Sequence, residues 1–467
     1  MVAVYTPALW AQRQFGRADL GDTRITDRAV LYAAAAAKAP SYSIPHQCGG
    51  EWSLIKGAYR LFDNRKVSFA ALQASHCDQT RKDAGALKTV LWLHDTTTLS
   101  YDHPATVGLG PTSAAGGSGI LLQTTLGLDV SDGIDASPFV LGLGHQQPWV
   151  RPGKPGGQPV ESAKWMLGIQ AIATPPAGVR WVHVADSESD CWHAIEACNE
   201  QNAGFALRAC QNRQVLAGHL GQGRSPPADQ ITLLFDLLEK QPTLGTKKLW
   251  VRGRKDRAAR WAKLVISAMA LTLLAPRHWS EKPHRKDQPQ PQPQRCWAVR
   301  VREIDGPDTE DPIEWVILTD EPVSDRAAAL KVVYWYSCRW LIEEYHKCLK
   351  TGCAMEDRQL ERAVRLENLL AILAVVAVRL LQLKHQARTN PDAAADSIVP
   401  RRYVDTLSAH LKRRKKLTIY EFFRETARLG GFIGRKNDGE PGWITLWRGW
   451  QHLEILADGV ELAKRLE

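Results

Sequence analysis

Two short apolar runs, KTVLWLH and VRWVHVA, each lead to an aspartate: Asp95 directly after the first, Asp186 at the end of the second. Runs this short and this rich in β-branched and aromatic residues form buried strands, so the chain is committed to a sheet with carboxylates at its strand ends. An aspartate there serves equally as a turn former or a helix cap. Far downstream stands a third feature, the run Tyr336, Arg339, Glu343 and Lys350. Each helical residue advances about 100°, so a continuous helix through this run holds the four side chains within roughly 60° of one another. Lys347 falls on the same stripe, and Arg339 stands four residues before Glu343, the spacing of a helical ion pair. A solvated helix face shows the same mixed charge. Glu344 points about 100° away from Glu343 and is expected to tolerate alanine.

Two strand-end carboxylates and a helical glutamate suit a pair of hard divalent cations. Magnesium or manganese takes oxygen ligands, keeps several waters and accepts substrate phosphate, so few protein carboxylates suffice. Two such ions support in-line displacement at a phosphodiester.

The pattern Tyr336-x2-Arg339-x3-Glu343-x6-Lys350, with Asp95 in HDTTTLSY and Asp186 in ADSESD, resembles the bacterial cut-and-paste DDE transposases that carry a Tyr-Arg-Glu-Lys signature, typified by the transposon-five enzyme. The resemblance runs nearly end to end, through LGDTR, GAYRLF, RWLIEEYHKCLKTG, VAVRLLQL, ARLGGFIGRK and WITLWRGW. It implies catalytic and metal-ligating roles for Asp95, Asp186 and Glu343, with two Mg2+ ions for which Mn2+ substitutes. It also implies DNA contacts from Arg28, Lys38, Arg60, Arg208, Tyr336, Arg339, Lys347 and Lys350, and a base-stacking role for Trp315. The partners implied are double-stranded DNA with terminal inverted repeats, target DNA and a second copy of the chain in a synaptic homodimer. One departure is local: Ser187 follows the second aspartate where the family commonly has arginine.

Each of these residues also has a plainer reading: solvated charge for Arg28, Lys38 and Arg60, a strand arginine with one carboxylate partner for Arg208, a core tryptophan for Trp315. A metal-dependent nuclease that cuts without joining, or a non-catalytic regulator of transposition, is the alternative function. A regulator normally lacks either the N-terminal segment or part of the triad, and both are intact here.

Composition agrees with an anionic partner: the 467 residues carry a net charge of +10 and a pI near 9.1. The nine cysteines include no CxxC pair, which reads as free thiols in a reducing compartment. MVAVYTPALWAQRQF reaches polar residues too soon for a signal, and the apolar stretch Leu369 to Val378 is ten residues, short for a bilayer span and suited to a buried helix. A cytoplasmic, nucleoid-associated protein without a membrane partner is expected.

The length calls for two or three domains. Residues 1 to about 70 read as a helical DNA-binding domain, with Asp22 or Thr23 capping a helix that stops before Pro40. Residues 71 to 370 read as an α/β catalytic domain of the ribonuclease-H-like type with a β-rich insertion at about 210 to 330, where alternating Pro and Gln in EKPHRKDQPQPQPQR make an exposed loop. Residues 371 to 467 read as a helical dimerisation domain. Its tryptophans Trp443, Trp447 and Trp450 form a stripe that suits a helix core or a subunit interface, the resemblance implying the latter, and its basic cluster Lys412 to Lys416 suits DNA or solvent equally.

Overall fold

A computed structural model describes residues 6–101, 106–113, 116–152, 161–221, 226–251, 259–276, 291–306, 312–413, 415–435 and 438–466. Of the Pro-Gln loop, residues 281–290 lie outside the described residues, and its last two residues, Gln294 and Arg295, already belong to a strand.

The chain opens with five helices: α1 (Pro7–Phe15), α2 (Thr23–Lys38), α3 (Ile44–Gln47), α4 (Trp52–Phe62) and α5 (Phe69–Ala84). Asp22 caps α2 by accepting from the Arg24 amide, and the helix ends two residues before Pro40. Next come β1 (Thr89–Ser100), β2 (Gly110–Ser113), β3 (Gly116–Asp129), β4 (Phe139–Trp149), α6 (Ala163–Gln170), β5 (Arg180–Ala185), α7 (Trp192–Glu200) and β6 (Gly204–Arg208). A second run of strands follows: β7 (Gln214–Ala217), β8 (Thr232–Leu233), a short α8 (Leu234–Glu239), β9 (Thr243–Val251), β10 (Arg260–Leu273), β11 (Gln294–Ile304) and β12 (Glu314–Thr319). Helices close the chain: α9 (Arg326–Ser337), α10 (Trp340–Lys347), α11 (Ala363–Thr389), α12 (Arg401–His410), α13 (Ile419–Leu429) and α14 (Trp443–Leu466).

All twelve described strands join one sheet, ordered β2-β3-β1-β5-β6-β12-β11-β10-β7-β8, with β4 also on β3 and β9 also on β10. The β-rich segment is therefore an extension of the central sheet, joined where β12 runs antiparallel to β6. At the centre, β1 and β5 are parallel and covered on both faces, which is why Val90 to Leu93 read as an unbroken apolar run and are all fully buried.

One core extends from Trp10 in α1 through the sheet to Leu453 in α14, so the N-terminal and C-terminal helices pack on a common centre. Helix α11 is its axis. It has 27 residues and a mean hydropathy of 1.9 over its most apolar window, enough to cross a membrane by length and composition, yet 78% of that window is buried inside the protein. Burial, rather than the shortness of the apolar stretch, is what makes it a core helix. The helix also runs unbroken through residue 370, where the sequence put a domain boundary.

Candidate active site

Parallel pairing of β1 with β5 sets His94 opposite Ala185, so the next two residues are neighbours. Asp186 lies just past the end of β5, but Asp95, expected at a strand end, is inside β1, which continues to Ser100 and pairs Asp95 with Thr124 of β3. Asp95 accepts a hydrogen bond from the Thr96 amide at 2.9 Å. Asp186 caps the 3-10 turn Ser187–Ser189 by accepting from the Glu188 amide at 3.0 Å, so it is both a cap and a partner of Asp95. Burial first, and then the charge of Asp95, push the Asp186 carboxyl above the usual aspartate value.

The helical run is broken, and the one-face arithmetic fails with it. Tyr336 lies in the last turn of α9, Arg339 sits in a tight turn, Glu343 lies in the first turn of α10, and Lys350 lies in a π-helical turn, Cys348–Gly352. The cause is a shift in backbone hydrogen bonding. The Arg339 amide bonds the Tyr336 carbonyl three residues back, and the Cys353 amide reaches the Cys348 carbonyl five back, so the pitch tightens and then widens.

What survives is the Arg339–Glu343 ion pair, at 2.6 Å. Burial disfavours the Arg339 charge, but Tyr336, Glu343, Asp95 and Asp186 together outweigh it and push the guanidinium pKa up. Arg339 thus stands among all three carboxylates. Glu343 faces Arg339, and among the described residues no three His, Cys, Asp or Glu side chains are gathered around one ion position. The structure brings Asp95 and Asp186 together directly and connects Glu343 to them through Arg339.

Lys347 turns to Glu344 at 3.2 Å instead of joining the stripe, and Lys350 faces Glu356 at 3.4 Å. Tyr336 is buried against Trp315, their ring centroids 5.2 Å apart at 61°, and Arg208 acts on the tyrosine hydroxyl while donating to the Glu314 carbonyl at 3.1 Å. Trp315 is half-buried and packs on the main core.

Two parts of the site escaped the sequence reading. His346, buried, directs Nδ1 toward Asp95 at 3.6 Å, with Nε2 3.3 Å from the Thr124 hydroxyl. Beneath the aspartates, His94 Nε2 and His183 Nδ1 are 2.8 Å apart, and burial holds both well below ordinary imidazole, His183 at about 3. A histidine in each strand run was the available signal.

Residues 7–67 match the transposase DNA-binding family, and residues 375–467 match the Tn5 transposase dimerisation domain. Both matches are to transposase domains, one towards each end of the chain, and they support a Tn5-type transposase. Among solved structures, a cryo-EM piggyBac transposase synaptic complex with hairpin DNA is 10% identical, covers 83% of this chain and 77% of its own, and superposes with a TM-score of 0.35.

In this transposase the expected end-binding residues lie on α2 and α4, whereas the carboxylates lie on β1, the turn after β5 and α10. Arg28 of α2 is half-buried and lies over Gly57 of α4, where an added Cβ would come within 3.5 Å of its side chain. Lys38 and Arg60 are exposed, and the Lys38 charge acts on Glu454 of α14. In the basic cluster, Arg413 pairs with Glu421 at 3.1 Å and Lys416 with Asp396 at 3.9 Å, while Arg414 lies outside the described residues.

Two expectations about the transposase's helices need correcting. Trp447 is buried beside Gly352, and Trp450 packs against Tyr403 and Phe422 at 5.2 and 6.0 Å, so these two tryptophans are internal packing and not a subunit interface. The Trp443 side chain lies outside the described residues. Glu344 is no spare surface residue: it is 7% exposed and pairs with Lys384 at 3.0 Å, Lys347 at 3.2 Å and Arg388 at 3.9 Å. Burial opposes its charge, yet Lys384 and Lys347 draw its pKa down to about 2.

Proposed function

We propose that this transposase excises and inserts a DNA element bounded by terminal inverted repeats, using Asp95, Asp186 and Glu343 as the ligands of two Mg2+ or Mn2+ ions. The observation that carries the reading is the adjacency of Asp95 in β1 and Asp186 just past the parallel strand β5, with the Arg339–Glu343 pair beside them. The donor set fits hard cations: it is all carboxylate, and a bound cation would offset the burial and the Asp95 charge that raise the Asp186 pKa. When bound, the ions supply activation of the attacking oxygen and neutralisation of the leaving one. For Glu343 to join them its carboxylate must leave Arg339, and a DNA phosphate is the natural replacement partner for that guanidinium.

The chain's own residues then position the DNA. Arg208, Arg339, Lys347 and Lys350 hold the backbone near the scissile phosphate, and Tyr336 with Trp315 receives a base turned out of the duplex. Water attacks one strand at the element end and frees a 3′ hydroxyl. That hydroxyl attacks the opposite strand to give a hairpin, water reopens it, and the same hydroxyl then attacks target DNA. A run β4-β3-β1-β5-β6, with β1, β5 and β6 parallel and β3 antiparallel, supports a ribonuclease-H-like catalytic core. Residues 1–70, 71–370 and 371–467 then serve as end-binding, catalytic and dimerisation domains, with Arg28, Lys38 and Arg60 on the transposon end, in the cytoplasm where the chromosome lies.

The dimer contact falls on α14, on the side away from its tryptophans. Ile444, Ile455, Leu462 and Leu466 are all exposed, and their helical positions fall within roughly 40° of one another. Such an apolar stripe suits a symmetric pairing of two copies.

The test is incubation of the purified chain with linear DNA ending in the element's inverted repeats, followed by challenge with precut ends and target plasmid. Nicked, hairpin and joined products are expected. Cutting without joining of precut ends would make the protein a nuclease, and binding without cutting a regulator.

A further inference from the structure

On the outer face of the β9–β10 hairpin, Trp250 and Trp261 are cross-strand partners with ring centroids 5.2 Å apart. They are 48% and 66% exposed, unusual for the side chain with most to gain from burial. Alternation along the strands puts Lys248 and Lys263 on the same exposed face, at the next cross-strand pair, about 7 Å along. Exposed Arg302 of β11, opposite Val265, continues it. The acidic neighbours of this face include Asp305, 3.5 Å from Lys263, and Glu314, the cross-strand partner of Arg302, and all four side chains are exposed. Trp315 pairs with Val301 and so belongs to the opposite face of the sheet. The two aromatic sites are separate.

A cross-strand tryptophan pair stabilises a hairpin, but that role does not require two uncovered indoles among cations. Charge complementarity selects an anionic occupant, and the free ring faces select one with exposed π-surfaces. Bases in a duplex have their faces covered by neighbouring bases; those of a single strand do not. We propose that the Trp250–Trp261 pair, with Lys248 and Lys263, is a stacking platform for single-stranded DNA. The inference rests on the reading of the chain as a DNA-processing enzyme and adds a second DNA contact remote from the carboxylates in the sheet order.

The experiment is fluorescence anisotropy with a labelled oligothymidylate and with a duplex of equal length lacking terminal repeats. W250A/W261A should weaken oligothymidylate binding by roughly tenfold or more, while duplex binding changes by less than about twofold. W250F/W261F, which keeps an aromatic face, should retain most of the affinity. Lys248→Ala and Lys263→Ala should each lower the salt dependence of binding by about one unit of slope. Wild-type affinity in W250A/W261A, or an equal loss on duplex, overturns the platform. A wild-type dimer that the double substitution dissociates in sedimentation also overturns it, since a second copy then covers the indoles. Should the double variant unfold on thermal melting, Trp261→Ala alone carries the test, its ring being the more exposed. Wild-type protein that nicks element ends but ignores oligothymidylate sinks this inference alone; wild-type protein that fails to nick sinks the transposition reading instead.

Discussion

Glu344 shows how a neighbour of a candidate ligand acquires a different task. Its carboxylate ties α10 to α11 through Lys384, whose side chain is 12% exposed, so Glu344→Ala removes a carboxylate that three cations share. A loss of roughly 3 kcal/mol in stability is predicted, read by urea denaturation. The pH dependence follows from the depressed pKa: the contribution is whole above the ordinary glutamate value of 4.5 and disappears as pH falls toward about 2. Wild-type protein should lose stability across that window, and Glu344→Ala should lose less. Trp315 supplies a second residue-scale prediction. Removing a ring that meets an unstacked base costs on the order of 1 to 3 kcal/mol, so Trp315→Ala should slow hairpin formation about tenfold or more while barely changing first-strand nicking. Equal slowing of both steps in a time-resolved cleavage assay would return Trp315 to the core, where its packing on Tyr336 already gives it a place.

Among the elements, the strands were the most legible. KTVLWLH and VRWVHVA read as strands because burial on both faces demands unbroken apolar runs, and the same parallel pairing draws Asp95 and Asp186 together. The longer strands of the second half were legible from their β-branched and aromatic content, with β9 and β10 alternating between a covered and an exposed face; β2, β7 and β8, at four, four and two residues, leave too little pattern to read. The break between α9 and α10 was not legible. Cys338 and Arg339 are unremarkable helix residues, and the break comes from a three-residue hydrogen bond that the tertiary packing selects. That is why the Arg339–Glu343 pair, separated by one turn, was readable, whereas the positions of Lys347 and Lys350 beyond it were not. His76 offers an element-scale test. It accepts from the Leu143 amide at 3.0 Å through Nε2 and contacts Gln14 through Nδ1 at 2.5 Å, fastening α5 to β4 and α1. Burial lowers its pKa to about 4, so its contribution is present above the ordinary value of 6.5 and falls as pH drops from there toward 4. Proteolysis of the N-terminal helices should quicken over that range, and a His76→Gln variant should show a flatter profile.

At the scale of the whole molecule, one core joins the helices matched to DNA binding with those matched to dimerisation. A truncation at Gly442 is therefore a poor probe of assembly, because it removes Trp447 and Leu453 from that core. Substituting the outer stripe is cleaner. Ile455→Glu with Leu462→Glu should leave thermal stability near wild type and preserve binding of a single DNA end, while abolishing the slower gel-shift species that holds two ends. Retention of the paired species would move the dimer contact elsewhere. Whether three carboxylates, from β1, the turn after β5 and α10, act as one catalytic set is decided by first-strand nicking of a labelled element end. Asp95→Ala, Asp186→Ala and Glu343→Ala should each reduce nicking by a factor of about a thousand or more while leaving the single-end gel shift intact. Nicking at the wild-type rate by Glu343→Ala would contradict the set and leave Arg339 with an ion pair of structural value only.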